Sequence, residues 1–99
     1  MRAILDGTVV AEADDADVIE IEGNSYFPPS ATDGDRFEKS PTPYFCPWKG
    51  ECQYWSIRVG DRLYGDAAWS YPEPMPTALE RVGRDFGGYV AFDPSVRVE

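Results

Sequence analysis

Nine prolines and nine glycines are spread through a chain of 99 residues. Proline fixes its own φ and lacks an N–H, and glycine weakens the interior of any regular element. So spaced, they leave no room for a long helix, and short strands joined by turns are expected. RAIL (Arg2 to Leu5) and TVVAE (Thr8 to Glu12) flank Asp6-Gly7, which is the signal of a tight hairpin. DVIEIEG (Asp17 to Gly23) alternates apolar and acidic residues with roughly period two, as a half-buried strand does. NSYFPPS then reads as a loop, because Pro28 and Pro29 stop central pairing. Thr32 to Pro43, with Asp33-Gly34 and SPTP, reads as an irregular connection. QYWSIRV (Gln53 to Val59) is aromatic and β-branched, the strongest strand in the chain. RLYGDAAW (Arg62 to Trp69) is its expected hairpin partner across Gly60-Asp61. GGYVAFD (Gly87 to Asp93) and SVRVE (Ser95 to Glu99) end the chain as strands around Pro94.

Only TALERVGRDF suits a helix. Thr77 is the expected N-cap, with Glu80 at the capping-box spacing. Pro76 and Gly83 confine the helix to about residues 77–83. The expected fold is one domain over residues 1–99, mainly β or α+β. About seven short strands would form a single curled sheet, a roll or a small open barrel.

Charge and residue types narrow the function. Eighteen acidic against nine basic residues give a net charge of −9, which argues against nucleic acid as a partner, since phosphate neutralisation needs a Lys/Arg surface. No apolar run is long enough to span a membrane. MRAILDGTVVAEADD lacks the pattern of a secretory signal, so a cytoplasmic location with reduced thiols is expected. There is no histidine, which removes the commonest general base and metal ligand. The two cysteines form no CxxC pair and are too few for a four-cysteine zinc site. Neither a metal nor another cofactor is expected, and composition leaves the oligomeric state open.

EGNSYFPP, CPWKGECQYWSI, DAAWSYPEP and GGYVAFDPSVRV, in this order, resemble the family catalogued as domain of unknown function 427. The match spans nearly the whole chain. It departs at Cys52, where that family usually has a small residue, and in GRDFGG (Gly83 to Gly88), which is longer than the usual connection. The resemblance implies a small, mainly β domain, a mixed roll or open barrel loosely similar to β-tent folds. A nucleotidyltransferase label attached to the family is also implied. Such a site uses two or three carboxylates on Mg²⁺ and a phosphate cradle, and the sequence has neither a Gly-Ser followed by paired aspartates nor a phosphate loop.

FCPWKGECQYW (Phe45 to Trp55) concentrates both cysteines and two of the three tryptophans. Cys46 is a candidate nucleophile if Lys49, three residues on across a turn with Pro47 and Gly50, stabilises its thiolate. The favoured reading is a small buried hydrophobe, because no histidine completes a dyad. Pairing of Cys46 with Cys52 is a further option, transient or redox-sensing in a reducing compartment. Lys49 beside Trp48 and Gly50 would suit a small carboxylate, a phosphate or a planar ring, or would simply point into water. Among the aromatic residues, Trp55 is expected in the core, while Trp48 and Trp69, with Tyr54 and Tyr71, are candidate pocket walls. Glu22 and Asn24, with Tyr26, form a third candidate set. Asn24 also reads as a turn residue, and Asp66 as a turn cap or a partner of Arg58 or Arg62.

The leading expectation is a domain that binds a small molecule in an aromatic-lined pocket near the CPWKG turn. An enzyme with Cys46 as nucleophile and Tyr54 or Tyr71 as acid is the alternative. A protein-interaction module with exposed aromatic anchors is the third.

Overall fold

The computed structural model describes residues 1–99 and contains nine strands and one α-helix. The expected first hairpin forms between β1 (Arg2–Leu5) and β2 (Thr8–Glu12). Asp6 and Gly7 both take positive φ, 50° and 75°, as a primed two-residue turn requires. The short β9 (Arg97–Val98) pairs with the other edge of β1, giving a three-stranded sheet in the order β2-β1-β9.

The second hairpin departs from the expected loop. β3 (Ile19–Ile21) pairs with β4 (Asn24–Tyr26) across Glu22 and Gly23, whose φ values are 54° and 81°. NSYFPPS is therefore strand for its first half, and the left-handed residues are Glu22 and Gly23, not Asn24. The prolines that suggested a loop act only after Phe27.

The third sheet has the order β5-β6-β7-β8. β5 (Phe37–Cys46) is ten residues long and takes in most of the segment expected to be irregular. Pairing with β6 (Gly50–Val59) runs from Phe37 to Lys39, lapses, and resumes at Pro43. Three residues of β5, Ser40 to Thr42, thus face the single residue Tyr54. This bulge at a sheet edge takes in Pro41 where ladder bonding lapses and no N–H is required. β6 pairs with β7 (Arg62–Ser70) as expected, with a bulge at Gly65 to Ala67. Asp66 in that bulge has φ 50° and accepts a 2.7 Å hydrogen bond from Thr42 Oγ1, rather than pairing with Arg58 or Arg62.

β8 (Val90–Phe92) completes this sheet. Phe27, just past β4, exchanges both backbone hydrogen bonds with Val90, each 2.8 Å. The β3-β4 hairpin thereby continues the four-stranded sheet, which curls into an open roll. The sheets do not close into a barrel.

Two apolar cores lie on opposite faces of this curled surface. One gathers Leu5, Val10, Phe27, Ile57 and Phe92. The other gathers Ile19, Ile21, Tyr26, Tyr71 and Phe86 with both cysteines. The strand period explains the division. Val90 and Phe92 face the first core while Ala91 faces the second, because alternate side chains leave a strand on opposite faces.

The helix α1 (Pro76–Val82) lies where expected, with a different cap. Met75 precedes it without a side-chain cap bond, Pro76 occupies the first turn, and Gly83 ends it at φ 82°. Thr77 is inside the helix rather than capping it. Pro76 suits this position because its missing N–H has no partner there in any helix.

Candidate functional site

The CPWKG turn joins β5 to β6, with Cys46 paired opposite Gly50. Gly50 takes φ 116°, a conformation side chains disfavour, and a Cβ added there would meet Glu73 O at 3.5 Å. The turn is packed against the chain that enters the helix, where Met75 N–H donates to Lys49 O at 2.9 Å.

Lys49 does not point into water. It is 6% exposed, and its Nζ donates to Glu22 Oε1 at 2.6 Å. Nζ also lies 4.9 Å from the Trp48 ring centre and 5.1 Å from that of Tyr71, within cation–π range. Arg81, from the last turn of α1, places its guanidinium 4.3 Å from the Trp48 ring centre. Burial is the strongest single influence on Lys49 and works against its charge, but the Glu22 hydrogen bond and the surrounding charges together outweigh it and the lysine pKa is raised. The same hydrogen bond, opposed by some desolvation, holds the Glu22 carboxyl below its ordinary value.

Around this pair the structure gathers most of the residues singled out in the sequence. Cys46, Cys52 and Tyr71 are buried, and Trp48, Tyr54 and Trp69 pack against them. Both thiols are free. Cys46 and Cys52 sit on adjacent strands, two residues out of register. Burial pushes the Cys52 thiol and the Tyr71 and Tyr54 hydroxyls up. Trp69 Nε1 donates to the Tyr26 hydroxyl at 3.1 Å, so these two polar edges satisfy each other. Asn24 is half-buried in β4 and takes no part in the Lys49 contacts.

A cavity lies elsewhere, among β5, β6 and β7 and the Pro29 to Gly34 segment. It measures about 440 Å³. Phe37 and Trp55 form its aromatic wall, edge to face with ring centres 6.5 Å apart. Trp55, expected in the core, is half-buried and lines this space. Gln53, which lines the cavity, donates from Nε2 to the carbonyls of Ser40 and Tyr54, at 3.1 and 2.7 Å, and its Oε1 accepts no hydrogen bond. Ser70 Oγ accepts from Trp55 Nε1 at 3.0 Å, leaving its hydroxyl hydrogen to donate. Lys39 is on the rim and joins none of the ion pairs. Trp48, Trp69, Tyr71, Cys46 and Lys49 do not line this cavity.

Sequence reasoning missed Lys39, Phe37 and Ser70. The alternation of Trp55 with Gln53 on one strand was the available signal, because residues two apart share a face. No three Cys, Asp or Glu side chains converge in a way that could hold a metal ion. No helix is long and apolar enough to cross a membrane. A family model described as Domain of unknown function (DUF427) matches residues 1–99. No curated protein matches the chain.

Proposed function

The chain belongs to the DUF427 family, and we propose that it binds a small, planar, acidic molecule in the cleft walled by Phe37 and Trp55. The observation that carries this reading is an unpaired cation, Lys39, beside an aromatic-walled cavity in a chain of net charge −9. Five of the nine Lys and Arg side chains are taken up in ion pairs. Lys39 is left free where an entering anion would meet it. The wall supplies flat apolar surface, and Gln53 Oε1 and the Ser70 hydroxyl supply one acceptor and one donor. A few placed polar groups on an apolar cavity of this size are the usual makings of a small-molecule site.

Catalysis by Cys46 draws less support. Cys46 is 5% exposed, and the Lys49 ammonium that would activate it is engaged by Glu22 at 2.6 Å. Binding with no covalent step requires neither residue to be reactive.

The test uses 8-anilinonaphthalene-1-sulfonate, an aromatic anion with a planar naphthalene ring, titrated by its own fluorescence. The native chain should bind it saturably at one site. Trp55→Ala should weaken binding about tenfold, by loss of the stacking face. Lys39→Met should weaken it about threefold, since the lysine is exposed and its attraction is screened. Equal binding by the native chain and both variants would refute this assignment of the cleft.

A further inference from the structure

Lys49 and Ser70 are the two buried polar residues, and Lys49 is the one with a charge. A buried ammonium needs a counter-charge. The only carboxylate that supplies one comes from outside the core. The Glu22 side chain is 53% exposed, against 8% for that of Lys49. Glu22 reaches inward from the β3-β4 turn, where φ is 54°. Asn, Asp or Gly usually holds such a position, and a glutamate gains nothing there from backbone preference. What its length does provide is contact with Nζ.

A second cation attends the same place. Arg81 is stacked on the other partner of Lys49, Trp48, and joins no ion pair. Both the Trp48 indole and the Arg81 guanidinium favour the Glu22 charge. Trp48 therefore carries two cations, one of which holds the carboxylate directly, and that carboxylate is hung on an exposed two-residue turn.

We infer that Lys49, Trp48 and Arg81 form an oxyanion-binding site that the chain's own Glu22 carboxylate occupies, and that the dianionic phosphate group of a small ligand enters by displacing it. The exchange breaks one charge-assisted hydrogen bond at Nζ and forms another, with no covalent change. Glu22, already half in water, is hydrated on release. A dianion matches the two cations better than a single carboxylate does. The tethered carboxylate competes at an effective concentration in the millimolar range or above, so removing it should unmask the site. This site is separate from the Phe37–Trp55 cleft and does not depend on a ligand binding there.

The probe is inorganic phosphate, titrated at constant ionic strength against sodium chloride and followed by tryptophan fluorescence and melting temperature. Glu22→Gln should bind phosphate about tenfold more tightly than the native chain, with a saturable rise in melting temperature that chloride does not reproduce. Glu22→Asp keeps the charge but is too short to hold Nζ, and should also bind more tightly than the native chain. Lys49→Met should abolish binding, and Arg81→Ala in the Glu22→Gln background should weaken it about threefold. Phosphate affinity unchanged in both Glu22 variants, or undiminished in Lys49→Met, would overturn the site. Acetate binding as strongly as phosphate would overturn the assignment to a dianion.

Discussion

Lys49 and Glu22 are unequal partners, and the difference is measurable. Removing Glu22 leaves an ammonium among Trp48 and Tyr71 with no counter-charge. Removing Lys49 leaves a carboxylate that is already half in water. Breaking a fully buried pair from one side costs about 3–5 kcal/mol, and the exposure of Glu22 reduces that figure. Glu22→Gln should therefore destabilise by about 1–2 kcal/mol in urea unfolding. Lys49→Met should cost less than about 1 kcal/mol, because methionine can fill the aromatic slot. The pair also sets a pH window. Glu22 has its pKa lowered on folding, from 4.5, so its contribution is complete above that value and is lost as pH falls through the folded one. Lys49 has its pKa raised from 10.5, so its contribution is complete below that value and is lost as pH rises through the folded one. The urea midpoint of the native chain should hold level between these limits and fall on the acid side. In Glu22→Gln the acid fall should be shallower. The thiols give a third readout at this scale. Cys46 and Cys52 are 5% and 7% exposed, so an aromatic disulfide reagent should label neither in the native chain and both in urea. Rapid labelling of Cys46 in the native chain would revive the nucleophile.

The elements show how much of this was legible in the sequence. The Asp6-Gly7 hairpin, β6, β7 and the helix near 77–83 follow from turn chemistry and local pattern, which act over a few residues. β5 does not, because Pro41 and Pro43 forbid a regular central strand, whereas a bulged edge tolerates them. The β3-β4 turn was hidden for a similar reason: Glu22-Gly23 is a poor match to the favoured turn pairs, and Glu22 serves Lys49 instead. The membership of the site was partly legible, since Cys46, Trp48 and Lys49 share one turn. The pairing was not, because Glu22 and Lys49 are 27 residues apart on different hairpins. The cleft was hidden for the same reason, as Lys39 and Trp55 meet only through the β5-β6 register. Gly83 isolates a purely local term at this scale. It sits at φ 82° with nothing within 4 Å of an added Cβ. Gly83→Ala should lower stability by about 1 kcal/mol through backbone conformation alone. A larger loss would mean that the helix end carries contacts beyond its cap.

At the scale of the molecule, the curled sheet puts a core on each face and shares strands between them. Tyr26 and Phe27 are neighbours in sequence, yet Tyr26 is in the core that holds the cysteines and Phe27 in the other. The Phe27–Val90 bridge that joins the two hairpin systems lies between these cores. Neither core should therefore melt alone, because loss of either frees the strands on which the other is built. Phe86 and Ile57 test this from opposite sides. Phe86 is fully buried and meets Tyr26 and Tyr71 edge to face. Ile57 is fully buried in the first core. Phe86→Ala should cost about 3–5 kcal/mol and Ile57→Ala about 2–5 kcal/mol, by lost burial and the cavity left behind. In each variant the transition followed by tryptophan fluorescence and that followed by far-ultraviolet circular dichroism should move together. Separate transitions in Phe86→Ala, with the first core surviving, would show two units that merely touch. The same coupling bears on the two proposed sites. The Lys49 assembly packs on the second core, and the cleft contains Phe37 and Trp55, which pack on the first. With strands shared between the cores, phosphate binding in Glu22→Gln should raise the midpoint seen by both probes, not only the one nearest Trp48.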